Sequence, residues 1–196
     1  MLFRSLFTDI VNQRPEEIET RSIDSLQWFQ TNVRDIRRTP SSLMKENQNF
    51  VTRFELGKMY MFMYEAKRKD KLKYYDYFPV TICLKRYSTG FMGINLHYLA
   101  PRYRALLMDG LYEFYREIQD ESYFQIRYPS VKSISKLRWA KPCIKQYQYP
   151  YIDSRIVEVR PEHMDMVVML PSQQFRSKGT TTNANDIYRE SIRKIS

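Results

Sequence analysis

Glycine is scarce in this 196-residue chain, at 5 residues, and cysteine and histidine are scarcer still, at 2 each. Each shortage excludes something. A nucleotide hydrolase needs a glycine-rich loop whose backbone amides cradle phosphates, usually closing on Gly-Lys-Ser/Thr, and no such stretch occurs. Gly90 and Gly93, in "TGFMG", read instead as a turn and a close backbone approach. Cys83 and Cys143 are too few for a disulfide framework and point to a reducing compartment. Cys83 alternates with Ile82 and Leu84 as a small buried hydrophobe, whereas Cys143 sits between Lys141 and Lys145, whose charges favour a thiolate. His97 and His163 lie far apart without ligand-spaced companions, so neither a metal nor a cofactor is expected. His97, among strand residues, reads as a hydrogen-bonded core histidine, and Asp76 in "YYDYFP" as a carboxylate that shapes the backbone. No apolar run reaches the length of a membrane span. "MLFRSLFTDIVNQ" has too short an apolar region and no small-residue cleavage site for a secretory signal. There is no internal repeat, and enzyme chemistry has no motif to rest on.

What is present is aromatic and basic. Aromatics make up 15% of the residues, which with so little glycine favours dense packing and large contact surfaces over flexible catalytic loops. The formal net charge is +10, and its placement is uneven. Residues 58–104 hold ten basic and three acidic side chains, and residues 127–149 hold six basic and none acidic. Residues 105–126 reverse the sign, with five acidic and one basic, while residues 1–57 are neutral. Both basic segments are rich in tyrosine.

The periodicity changes along the chain. "SIDSLQWFQTNVRDIRRTP" spaces Leu26, Phe29, Val33 and Ile36 as one stripe of a helix. Ser22 or Asp24 caps its start, and Thr39-Pro40 ends it and opens a second short helix, "SSLMKE". From Gly57 the pattern is that of strands. "KMYMFMYE" is apolar on both faces, "YYDYFPVTICLKRY" is a second strand broken by Pro79, and "FMGINLHYL" is a third. The three predict an antiparallel meander packed by a helix opening at Pro101, with the second face covered by a helix, a partner or the wall of a small barrel. In that helix Tyr103, Leu106, Leu107, Leu111, Phe114 and Ile118 form the core stripe, and Asp109, Glu113 and Glu117 an acidic one. "PSVKSISKLRWAKPCIKQYQY" predicts a basic helix and then an extended stretch, "SRIVEV" a strand, and "PEHMDMVVMLP" a short helix between Pro161 and Pro171. "RSKGTTTNAN" reads as a linker, and "DIYRESIRKIS" as a tail helix that orders on a partner. The fold class is α+β: an antiparallel β-meander or small barrel-like sheet packed by several helices, with N- and C-terminal arms. The expected division is an N-terminal arm and helix (1–56), a core domain (57–175) and a tail (176–196). Residues 1–21 dock on the chain's own core or on a neighbour, and both arms are expected to extend and contact neighbouring chains.

The stretch "LGKMYMFMYEAKRKDKLKYYDYFPVTICLKRY" sets a basic tip between apolar strands. Lys67, Arg68, Lys69, Lys71 and Lys73 would project from a hairpin, towards phosphates or as a solvated tip. Lys132, Lys136, Arg138, Lys141 and Lys145 form a second basic set. Either set suits nucleic-acid phosphates or the acidic surface of a neighbouring protein, and nothing in the residues separates the two.

"GKMYMFMYEAK", "YYDYFPVTI", "GFMGINLHYL", "PRYRALLMDGLYE" and "KPCIKQY", in this order, resemble a family of virion proteins from large contractile-tailed phages. Members of that family are DNA end-protector or head, neck and tail assembly subunits. The similarity runs from about Gly57 to Phe175, with Phe91 to Leu99 its most distinctive part. It implies a non-enzymatic virion protein, without catalytic residues, found in the virion and in the host cytoplasm during assembly. Its partners would be other virion proteins in a symmetric assembly and double-stranded DNA, or its end, read without regard to sequence. The alternative is a neck- or baseplate-type subunit that binds only other virion proteins. A small enzyme acting on nucleic acid is the third reading, disfavoured by the missing acid clusters and metal ligands.

Overall fold

The computed structural model describes residues 6–36, 38–46, 49–116 and 138–194, leaving aside the side chains of residues 6, 46, 113–116, 138 and 139. The elements run α1 (Leu6–Val11), α2 (Ile23–Asn32), α3 (Pro40–Glu46), β1 (Phe50–Val51), β2 (Met59–Met61), β3 (Tyr75–Asp76), β4 (Val80–Arg86), β5 (Gly90–Asn95) and α4 (Pro101–Arg116). There follow β6 (Ile144–Gln148), β7 (Ile156–Glu158), α5 (Met164–Met169), β8 (Phe175–Ser177), β9 (Thr180–Thr181) and α6 (Ala184–Arg193). The molecule is α+β. A six-stranded antiparallel sheet has the order β1-β7-β2-β4-β5-β6, and a three-stranded one the order β3-β8-β9. Neither closes into a barrel. No helix among the described residues is long and apolar enough to cross a membrane.

The local signals of the sequence explain most of these elements. The Ser22 hydroxyl accepts the Ser25 N–H and caps α2, which buries Leu26 and Phe29, with Val33 just past its end. The Thr39 hydroxyl accepts the Ser42 N–H at the start of α3. The meander forms as expected, Met59 facing Ile82 across β2–β4 and Ile82 facing Ile94 across β4–β5. Its third strand stops early. The Asn95 side chain accepts the His97 N–H, which turns Leu96–Tyr98 into a 3-10 turn. Pro79 divides the second stretch between two sheets, because β3 pairs with β8 while β4 pairs with β2 and β5. Gly93 is required by contact: a Cβ there would lie 2.3 Å from Thr81 Cγ2 and 2.8 Å from the Ile82 carbonyl oxygen.

The two faces of the large sheet are covered differently. Met59, Met61, Val80, Ile82 and Ile94 join one apolar cluster with Leu26 and Phe29 of α2, Leu107, Met108 and Leu111 of α4, and the apolar residues of α5. The opposite face is paved by the sheet's own rings, Tyr60, Phe62, Tyr64, Phe91 and Tyr147, with Phe54 stacked 4.0 Å from Phe91. That aromatic layer takes the place of the helix, partner or barrel wall that the sequence suggested. In α4 the buried stripe lies beside the expected one. Arg104, Leu107, Met108 and Leu111 face inward, while Tyr103 and Leu106 are exposed at 36% and 50%; Phe114, Glu113, Glu117 and Ile118 fall outside the described side chains.

The terminal segments do not stand free of the core. Phe7 and Ile10 of α1 are buried in the main cluster, and the Arg21 N–H donates to Asp165 Oδ2 at 2.8 Å. At the other end the linker-like stretch is a hairpin, β8–β9, turned at Lys178 and Gly179, both with positive φ. The helix that follows, α6, buries Ile187, Tyr188 and Ser191 against the same body. Fully buried Arg104 anchors it, donating from Nη2 to the Tyr188 hydroxyl at 2.8 Å and from Nε and Nη1 to the carbonyls of Leu99 and Val168.

Candidate functional site

The basic loop is not the tip of the β2–β4 hairpin. After Met61 the chain leaves the large sheet, and the loop opens between Ala66 and Tyr74, immediately before β3. Its backbone coils into one turn, with the N–H groups of Lys71 and Leu72 donating to the Arg68 carbonyl at 2.9 Å each. Both ends are fixed. Glu65 accepts from Tyr75 and Lys69 and from Arg176 on β8. Lys73 donates to Glu190 on α6 at 2.6 Å, and Lys194 meets the same carboxylate at 2.9 Å. These hydrogen bonds, that from Lys73 first, hold the Glu190 carboxyl down at about 2. Lys69 and Lys73 are therefore paired, whereas the exposed side chains of Lys67, Arg68 and Lys71 make no ion pair among the described residues.

Beside this loop lies a cavity of about 480 Å³. Lys67, Arg68 and Leu72 line it from the loop, and Lys145, Gln146, Tyr147 and Gln148 from β6. Tyr64, Ala66, Tyr74, Tyr75, Asp76 and Tyr98 complete the wall. The cleft thus joins one residue of the second basic set to two of the first. Lys145 Nζ lies 3.8 Å from the centre of the Tyr98 ring, and burial lowers its amine to about 8. Lys141 is exposed in the 3-10 turn Arg138–Cys143, away from the cleft. The Arg138 side chain, and Lys132 and Lys136 with the predicted basic helix, lie outside the described residues.

Asp76 links the cleft to the interior. Its Oδ2 accepts from Asn95 Nδ2 at 3.0 Å and from His97 Nδ1 at 2.7 Å, and its Oδ1 accepts the Phe78 and Gln174 N–H groups. The Ser172 hydroxyl lies 3.2 Å from His97 Nε2. Burial works to raise the Asp76 carboxyl, but His97 and the other donors outweigh it and hold it below the usual range. Burial lowers His97, so the imidazole is neutral, donating from Nδ1 and accepting at Nε2. An Asp-His-Ser series at such distances resembles a hydrolytic triad, but all three side chains are buried and neither His97 nor Ser172 lines the cleft. It acts as a brace for the cleft wall. Burial also pushes the Cys143 thiol up to about 12, against the neighbouring Lys145 charge, so the expected thiolate does not form. No group of three His, Cys, Asp or Glu side chains converges as metal ligands among the described residues.

A second groove, of about 440 Å³, lies on the other side of Tyr74, lined by Lys73, Tyr74, Ser177, Thr182 and the Asp186, Ile187, Arg189, Glu190 and Arg193 side chains of α6. A basic, tyrosine-walled surface built from residues far apart in sequence suits a polyanion. The family model described as Phage T4 terminal DNA protecting protein matches residues 2–191. The chain belongs to that family. No curated protein and no solved structure matches it. The match takes in both terminal segments, beyond the Gly57–Phe175 span in which the sequence resembles phage virion proteins. The family description names a phage protein that protects DNA termini. Of the residues expected from charge, Lys67, Arg68 and Lys145 line the first cleft. The sequence did not single out the tyrosines that wall it, or Arg189 and Arg193 near the loop, because only the β5–β6 pairing and the docking of α6 bring them there.

Proposed function

We propose that this protein is a non-enzymatic virion component that binds the ends of double-stranded phage DNA and shields them, meeting the host cytoplasm during assembly and other virion proteins in the particle. The observation that carries the reading is the cleft in which Lys67 and Arg68 face Lys145 across tyrosine walls. Its cations attract phosphates without regard to sequence, and its volume is that of an ordinary ligand site. Membership of a family named for protecting DNA termini supplies the polyanion.

The test is binding of the purified chain to a linear duplex at low salt, compared with a variant carrying Lys67→Gln, Arg68→Gln and Lys145→Gln. The expected result is firm binding by the native chain and a loss of at least about tenfold in the variant, since each charge-assisted contact contributes ~1.5 kcal/mol or more. Equal binding by the two proteins would move the DNA site elsewhere. A native chain that ignores DNA, with a variant that fails to enter particles, would make these side chains a docking surface for an acidic virion protein.

A further inference from the structure

We propose that Leu72 and Tyr74 form a ridge on which the exposed face of a terminal base pair rests, while the two strands' phosphates are held in the basic grooves on either side. This rests on the DNA-end reading and names what distinguishes an end from the interior of a duplex. Phosphates recur all along the double helix, so a purely cationic surface is indifferent to ends. Only a terminus offers the flat, unstacked π face of a base pair, and apolar or aromatic side chains are what recognise it.

The ridge has the required character. Leu72 stands 39% exposed inside the basic loop, between Lys71 and Lys73, and lines the first cleft. Tyr74 is half-buried and walls both grooves. Lys67, Arg68 and Lys145 lie on one side, and Arg189 and Arg193 on the other, beside the Lys73–Glu190 ion pair. The acids of the second groove are engaged, Glu190 by Lys73 and Lys194, and Asp186 by Arg189 at 3.7 Å. Leu106, exposed on α4, lines neither groove. Tyr74 is also fixed, its ring 6.0 Å from Tyr98 and 6.2 Å from Phe175.

The experiment displaces a labelled linear duplex from the full chain with unlabelled DNA of the same sequence, either linear or covalently closed. The native protein should prefer the linear competitor. Leu72→Ser should lose at least about tenfold of that preference, the scale of one base-stacking contact, with its unfolding midpoint unchanged. Leu72→Met should restore the preference. Arg189→Gln with Arg193→Gln should weaken binding to both competitors. If Leu72→Ser retains the preference, the ridge is overturned while the DNA-end reading stands; if the native chain binds both forms equally, the ridge and the end reading fall and only sequence-indifferent DNA binding is left. If the native chain binds neither form, both fall together.

Discussion

Single residues hold the cleft in shape, and His97 is the clearest case. A neutral imidazole in the fold, with its ionisation lowered by burial, refuses a proton that the unfolded chain accepts near the ordinary value of 6.5. Its contribution to stability is therefore complete above that value and is lost as the pH falls below it. Asp76, held below its ordinary 3.8, adds stability that is lost in the same direction but only in stronger acid. Burial also lowers His163, which adds to the loss with the same sign. The native protein is thus expected to lose stability between pH 7 and pH 5. Replacing His97 by Gln should flatten that dependence in part, while lowering stability at pH 7 by about 1–3 kcal/mol through the disturbed Asp76 and Ser172 bonds. Urea midpoints of both proteins at the two pH values would check this, and parallel losses would mean that His97 does not titrate on unfolding. The sequence marked His97 as a core histidine and Asp76 as a shaper of backbone, and both roles hold. Ser172 and Asn95 went unseen as their partners because the contacts join positions up to 98 residues from Asp76, as in the Gln174 bond to the same carboxylate.

Elements were legible where one local pattern suffices. The stripe Leu26, Phe29 and Val33 with the Ser22 cap specifies α2, and Pro161 and Pro171 bracket α5 with no help from elsewhere. Strand order was not legible, since β7 comes from far along the chain to insert between β1 and β2. The β8–β9 hairpin was hidden by its composition, for the Ser, Thr and Asn residues around Lys178-Gly179 resemble a linker unless the two positive φ angles are known. Glycine is the sharpest test at this scale. In β5 a methyl group at Gly93 would collide with the Ile82 carbonyl oxygen and with Thr81, so Gly93→Ala should destabilise by about 1–3 kcal/mol. Gly110 lies within α4 with nothing inside 4 Å of its added Cβ, so Gly110→Ala should stabilise by about 0.5–1 kcal/mol. Chemical denaturation of the two variants should move the midpoint in opposite directions. A shared direction would mean that the sheet yields at β5 or that α4 resists the methyl group.

Across the whole molecule, the distribution of charge decides how the protein meets a polyanion. Of the +10 formal charge, the share on the loop was legible in sequence, but its division into engaged and free cations was not. Glu65 holds Lys69 at 3.5 Å and Glu190 holds Lys73 at 2.6 Å, so those two ammonium groups already have counter-charges within the fold. Lys67, Arg68 and Lys71 are exposed and make no ion pair among the described residues. Salt weakens binding to duplex DNA because each phosphate neutralised by a cation releases condensed counterions, contributing roughly 0.9 to the slope of log affinity against log salt. Replacing Lys67, Arg68 and Lys71 together by Gln should therefore reduce the slope by up to about 2.7. Replacing Lys69 and Lys73 should reduce it by distinctly less than the roughly 1.8 that two free cations would give, because the carboxylates left behind kept them from the phosphates. The second pair also fastens the loop to β3 and α6, so its loss should lower the affinity at low salt as well. Titrations of a short duplex between 50 and 200 mM salt, on the order of the range over which such slopes are read, would measure both numbers. Equal reductions per residue in the two variants would show that the ion pairs open when DNA binds, and that the loop engages phosphates as a single cationic unit.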